Sequence, residues 1–501
     1  MFKLIKKAII FSIVFDLLLI SLTAEEVVKV GITSLPTSRG NPYKTTTGLP
    51  SLYTHAAIFE GLTRVTQKAE AIPILAEKWN YENKFSWLFH LKKNVFFSNG
   101  EPFNAQSVVY SFNLLQSDEG RTWNVTRELD GISSITAVDD YTVRVTTLLP
   151  DILLPHKVAA MKIIPPNYWK KVGPEEFASS PIGTGPYMVE SWSTSRVILK
   201  RFDNAWRKAK INKIELVTAP DAVSRIQGFL SERFHIAVQL GPDEVDVIES
   251  SGHVVSRGFD PSMQVLAFIT EKDSPLQDLR VRKALNFAVN RKVMVSKLLN
   301  NKVHMATQTT PSFAFGWDPD IKEWPYDTER AKQLLIDAGY PDGFEFTAEI
   351  LLSAASYSSQ VYQQVAVDLA KIGVSLSITR IPASQYARGV YQGQWKGQAI
   401  GIDYGVNPTL DSLTPLVRHS CLWPKPWFCD TSIMPLIEKA QSTFDLELRK
   451  KLTQEVMRYQ LGLAPAILLY ETARFDAVNK NIDGYYIELG HIDYDKLSFK
   501  E

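Results

Sequence analysis

A chain of 501 residues with a formal net charge of +1 is longer than one ordinary core needs, and it has no global field to draw it to nucleic acid or an anionic membrane. With 45% hydrophobic and 22% charged residues the composition is that of a globular protein, without low-complexity tracts or repeats, and two or three domains are expected. The 11 Trp and 19 Tyr are explained first as core and interface packing, and only then as surfaces that stack on a ligand.

At the N-terminus Lys3, Lys6 and Lys7 precede an apolar run from Ala8 to about Leu22, with Thr23-Ala24 standing before Glu25-Glu26. A positive head, a short apolar stretch and a small boundary residue predict a secretory signal peptide over residues 1–24. Asp16 within the run is unusual for one, and it argues more strongly against a membrane span, which needs about 20 apolar residues. No cysteine near the boundary could carry a lipid, so a soluble, non-lipidated periplasmic protein of a Gram-negative cell is expected.

Residues 27–33 alternate as a first strand, and 35–43 form a loop rich in Pro and Gly. Residues 56–170 mix helices with short strands, closed by the turn at Asp139-Asp140 and an alternating run to Thr147. Pro181-Ile-Gly-Thr-Gly-Pro-Tyr187 has two glycines, but no Gly-Lys-Ser/Thr and no opening helix come after it, so it reads as a turn and not a phosphate loop. Strands at 197–202, 213–217 and 236–240, with a helix at 220–230 that has Pro near its first turn, predict an α/β body.

Residues 263–270 are an apolar run of strand length, and Asp278 then caps a helix with Val281, Leu285, Ala288 and Val289 on one face. The chain before residue 260 reads as one body and much of the chain after it as another, which predicts two lobes about a hinge. The second lobe continues with a helix capped by Asp327 and ended by Gly339, and a strand at 344–352. A helix at 357–372 carries Val361, Val365 and Leu369 on one stripe, with a strand after it at 374–379. A helix over about 445–460 leads to a strand at 464–471 that crosses back, giving a hinge of two segments suited to closure over a ligand.

The best candidate site is the stretch from Gln398 to Asp411. An apolar strand leads into Asp403, and Gly405 and Asn407-Pro408 turn the chain, so that a rigid scaffold aims a carboxylate into a cleft. The competing reading is a turn aspartate that caps its own backbone. Cys421 and Cys429, the only two cysteines, lie eight positions apart. In an exported chain they are expected to form one disulfide, in preference to free thiols or a metal pair.

Several motifs carry a resemblance. Leu266-Ala-Phe-Ile and Pro275-Leu-x-Asp-x-Arg-Val-Arg-x-Ala-Leu-x-x-Ala-Val-Asn-Arg291 are preceded, in order, by Ala57-Ile-Phe-Glu-Gly-Leu-Thr63, Ile72-Pro-Ile-Leu-Ala-Glu-Lys-Trp79, the segments beginning at Phe85 and Phe96, and the Pro181 turn. This pattern resembles the family-5 extracellular solute-binding proteins, the peptide- and nickel-type receptors of bacterial ABC importers, over nearly all of the chain after residue 25. The resemblance implies an α/β, two-lobed periplasmic-binding-protein fold of type II, cluster C, with a two-strand hinge. Lobe I would comprise residues 25–55, 180–263 and 473–501, with an extra subdomain at 56–179, and lobe II residues 264–472. It also implies a monomer that gives its solute to an inner-membrane permease and ATPase, with no cofactor, no catalytic residue and no metal site.

In the resembling peptide receptors an Asp-Tyr-x-x-Pro stretch holds an aspartate that pairs with the ligand's α-ammonium group. Carried over, that residue is Asp403, with Tyr404 and Asn407 beside it, although one extra residue precedes Pro408. The loop between Thr33 and Tyr43 faces the cleft in those receptors, and Tyr386 lies where they have a pocket tryptophan. Trp317, Trp423 and Trp427 are further stacking candidates, the last two more simply placed around the disulfide loop. The dipeptide branch has a cysteine-closed loop in this region and an arginine for the ligand carboxylate just before the helix at 357–372. Here residues 351–356 contain no basic residue, and only Arg380 or Arg388 could substitute. The expected ligand is therefore a peptide or amino-acid derivative, with an opine, an oligosaccharide or a nickel complex as alternatives. A secreted hydrolase is disfavoured by the absence of Gly-x-Ser-x-Gly and His-Glu-x-x-His, and His419 near Cys421 is the one suggestive metal pair.

Overall fold

The computed structural model describes residues 26–44, 49–351 and 356–500. The expected signal peptide and most of the 351–356 loop lie outside them. Ten strands, numbered in chain order, form one mixed sheet: β1 (Val27–Ile32), β2 (Tyr187–Trp192), β3 (Arg196–Arg201), β4 (Lys213–Thr218), β5 (Ile236–Leu240), β6 (Val254–Phe268), β7 (Phe344–Leu351), β8 (Val374–Ile381), β9 (Ala399–Gly405) and β10 (Ala466–Val478). Their order across the sheet is β8-β7-β9-β6-β10-β5-β1-β4-β3-β2.

The two longest, β6 with 15 residues and β10 with 13, run antiparallel through the middle. Every residue of β10 is buried, as its apolar opening from Ala466 to Tyr470 requires. The ladder between them runs from Val254 opposite Val478 to Ala267 opposite Ala466, and its register breaks between Phe259 and Met263. On one side of the break β10 pairs with β5, and on the other β6 pairs with β9. Pro261 lies at the break and has no N–H to offer a ladder. The hydroxyls of Ser262 and Thr472 meet there at 2.7 Å. The chain thus passes between its two halves twice, at one level.

The expected strand at 263–270 is only the second half of β6. Its first half contains Arg257, Gly258, Asp260 and Pro261, a composition that reads as loop until β10 is alongside. In the first half of the molecule β1 lies parallel to β4 and β5 and buries Val28, Val30 and Ile32. A separate four-stranded antiparallel sheet (76–91 and 132–147) with a helix at Ala105–Gln116 is appended to it. One hydrophobic cluster joins them, running from Val30 and Leu216 to Phe89 and Val145. The two glycines of the Pro181 turn are needed for close approach, since a Cβ on Gly183 would fall 2.0 Å from the Ile58 carbonyl oxygen and one on Gly185 2.5 Å from that of Ala57.

In the second half, helices at Leu279–Ala288, Thr328–Asp337 and Ser356–Ala370 cover β7, β8 and β9. Asp278 and Asp327 cap the first two as expected, accepting from the N–H groups of Arg280 and Arg330. Tyr386, expected in a loop, is on a helix at Ala383–Gln392, which Pro382 precedes and Gly393 ends at φ +70°. Val390 is the one aliphatic residue of that helix's inner face, too little periodicity to announce it.

Candidate functional site

β9 positions the central residue. It pairs with β6 so that Asp403 lies opposite Gln264, and alternation along the strand sends neighbouring side chains to opposite faces. Asp403 is exposed to water, whereas Tyr404 is fully buried on the other face. Among the described residues the Asp403 carboxylate has no hydrogen bond and no ion pair. Protein surrounds it closely enough to push its pKa up to about 6, through lost hydration and then through repulsion by Asp260.

Two tyrosine hydroxyls stand near this carboxylate. Tyr386 and Tyr362 are held well above the usual tyrosine range by burial and next by the Asp403 charge. The Tyr362 hydroxyl donates to the Val265 carbonyl at 2.9 Å and accepts from the Gln264 amide, while the Ser358 hydroxyl lies 3.4 Å from the Gln264 carbonyl oxygen. Tyr386 packs edge-on against Trp395, with centroids 5.4 Å apart. The floor beside Asp403 is thus made of fixed polar groups with aromatic rings around them, a chemistry that suits a cation with an organic body.

Near Asp403, which feels the charge of Asp260, is a charge cluster on the connecting strands. Arg474, 2% exposed, donates to Asp260 at 2.8 Å and to Asp476 at 3.1 Å. Burial outweighs the arginine and leaves both carboxyls raised. Asp476 also accepts from the Gln239 N–H and the Tyr485 hydroxyl. Gln239 in turn accepts the Thr33 hydroxyl at 2.9 Å, which places Thr33 on the same wall. Elsewhere the first and second halves of the chain touch where the Arg127 guanidinium lies over the Tyr391 ring at 5.1 Å. Glu128, pushed up to about 7 by burial, is opposed by the charge of Arg418.

The remaining expected residues fall elsewhere. Tyr404 stacks on the His419 ring at 3.7 Å, inside a core with Trp427 and Trp395. Tyr43 is fully buried, stacks on Trp123 at 5.8 Å and donates to the Lys162 carbonyl. Trp317 lines a different pocket, with Lys68, Phe313 and Lys450. Asn407, joined to Pro408 by a cis bond, lines a third space, a pocket of about 120 Å³ whose other walls come from residues 52–207 and from Glu488, Leu489 and His491. Arg380 and Arg388 are exposed. His419 lies in the core, its pKa far below the usual histidine range through burial. Cys421 is bonded to Cys429 as expected, with Cα atoms 4.5 Å apart. The indole N–H of Trp423 donates to the Val390 carbonyl at 2.7 Å. Asp260, Arg474 and Tyr362 were missed, because only the fold brings them near Asp403. The lone signal for them was a set of three charges, Glu471, Arg474 and Asp476, in a strand that opens as an apolar run.

Comparison with known proteins places this geometry. The model of the bacterial extracellular solute-binding proteins, family 5 Middle, matches residues 70–420. Heme-binding protein A of Haemophilus influenzae is 26% identical over 454 residues, spanning 82% of this chain and 81% of that protein. The dipeptide-binding protein of Escherichia coli is 25% identical over 467 residues, spanning 86% of each. Among solved structures, the ABC transporter-associated periplasmic binding protein DppA from Helicobacter pylori, in complex with the peptide STSA, shares the fold with a TM-score of 0.81 at 21% identity, covering 95% of this chain and 98% of its own.

Proposed function

The chain belongs to family 5 of the bacterial extracellular solute-binding proteins, and from that premise we propose that it is the receptor of an ABC importer for a small peptide or amino-acid derivative. Its work is binding and release. The solute enters between the lobes, its contacts with both favour the closed arrangement, and that arrangement is presented to the permease.

One observation carries the ligand class. Asp403 is a carboxylate open to water, without a partner among the described residues, at the edge of the floor formed by Tyr386, Tyr362 and Gln264. A charge held in that state is matched by a ligand ammonium, and a charge-assisted bond there orients the solute as well as retaining it. Tyr386, half-buried and backed by Trp395, offers ring surface to the part of the ligand next to the amine.

Native mass spectrometry of purified protein, then denaturation to release any retained solute, tests the reading. A peptide or other primary amine is expected. A solute without a cationic group, whether sugar or metal complex, would overturn the role given to Asp403 while keeping the receptor.

A further inference from the structure

We propose that the pocket beneath Asn407 and Pro408 is a second anchoring subsite, where the Lys162 ammonium takes the carboxylate of the solute whose ammonium group Asp403 holds. The inference rests on the receptor reading above and gives the solute its chemical class: an amphoteric molecule, anionic toward lobe I and cationic toward lobe II.

Three cations line the pocket, and two are already committed. Arg64 pairs with Asp493 at 2.5 Å, and Arg207 is shared between Glu60 at 2.8 Å and Asp495 at 2.7 Å. Lys162 has neither a hydrogen bond nor an ion pair for its Nζ among the described residues. Its main chain is fixed, since its carbonyl accepts the Tyr43 hydroxyl and the N–H of the next residue, Ile163, donates to the Glu60 carbonyl. Burial lowers its pKa to about 8, with Glu60 opposing, so the side chain is still mainly charged at neutral pH. An ammonium partly stripped of water and left unpaired is costly to keep, and an incoming carboxylate removes that cost.

The rest of the lining fits an organic anion better than an inorganic one. Leu52, Phe59, Val65 and Leu489 supply apolar wall. Of the three carboxyls on the lining, Glu60 is paired with Arg207, Glu488 accepts the Gln67 N–H, and Glu128, raised to about 7, carries little repulsion for an anion in mildly acid solution. Asn407, on the wall of this pocket, comes four residues after Asp403, so their Cα atoms are at most about 14 Å apart. A solute held at both ends would join the lobes, which is what a closing receptor needs.

Ligand-observed saturation-transfer NMR on the full protein decides it, with three probes: 4-methylpentanoate, its primary amide, and 3-methylbutylamine. The carboxylate is expected to bind about tenfold more tightly than the amide of the same skeleton. Lys162→Met should erase that preference, Lys162→Arg should keep it, and Asp403→Asn should leave it unchanged. The amine reports on Asp403 alone and should lose binding in Asp403→Asn, so failure of the ammonium reading is seen there and not in the carboxylate. A carboxylate that binds no better than its amide, or a preference that survives Lys162→Met, overturns the subsite. Should Lys162→Met fail to fold, the unaltered protein and Lys162→Arg still give the carboxylate-to-amide ratio that decides it.

Discussion

A carboxyl with its pKa near 6 is protonated in mildly acid solution, and for Asp403 that protonation competes directly with a cationic ligand. Affinity for a primary amine should be level above about pH 6 and fall by about tenfold per pH unit below it, until the pKa of the liganded state is reached. Calorimetric titration of a peptide at constant ionic strength from pH 4.5 to 8 checks this, and Asp403→Asn should give a weak, flat profile. Buried histidines act on stability with the opposite slope to such a raised acid. His55 is pushed down to about 4 by burial while its ring donates to the Arg39 carbonyl at 2.9 Å. Below pH 6.5 the unfolded chain binds the proton that the folded one refuses, so stability falls between about 6.5 and 4, by about 3 kcal/mol in full for this residue. Denaturant midpoints across that window should drop less in His55→Gln. At this scale the sequence pointed to Asp403, proposed here as the anchor, through the turn just beyond it, but it also offered Tyr404, which alternation along the same strand sends into the core. Asp260 and Arg474 are 143 and 71 positions away from Asp403 in sequence, so no local pattern could connect them.

Elements were legible where their burial repeats with a regular period. The Asp278 and Asp327 helices, β5, β7 and β8 lie close to where apolar spacing and caps put them, because each packs one face on a single core. β6 was half hidden because its first half is satisfied by β10 and by Arg474, not by its own apolar residues. β9 depends on an absence of side chain. A Cβ at Gly401 would fall 2.6 Å from the Tyr362 hydroxyl oxygen and 2.6 Å from Ile350 Cγ2. Gly401→Ala must therefore displace Tyr362, whose hydroxyl ties β6 to the helix at Ser356–Ala370. The expected outcome is a loss of about 1–3 kcal/mol in unfolding free energy together with weaker ligand binding, since Asp403 is two residues along the same strand. Equal binding in a folded Gly401→Ala protein would show that the register of β9 does not set the site.

Across the whole molecule the two connecting strands are tied to each other by a charge cluster as well as by backbone. Arg474 lies between Asp260 and Asp476, and Asp476 is fully buried. Arg474→Met leaves two carboxyls in poor solvent without their cation, and a loss of about 3–5 kcal/mol is expected in equilibrium unfolding. Adding Asp476→Asn and Asp260→Asn should recover much of it, and failure to recover would mean that the arginine acts through packing alone. The resemblance in sequence conveyed the two lobes and the double connection, while the place where the ladder breaks was set by pairing that only three dimensions reveal. The position of β10 has a further consequence, in the order of synthesis. The central strand of the sheet, which borders β5 on one side and β6 on the other, is the last of the ten to leave the ribosome. Until Ala466–Val478 emerges, the edges of β5 and β6 have nothing to pair with, and neither lobe is complete. The nascent protein is thus kept open for nearly the whole of its translation, and both lobes are finished in one late step.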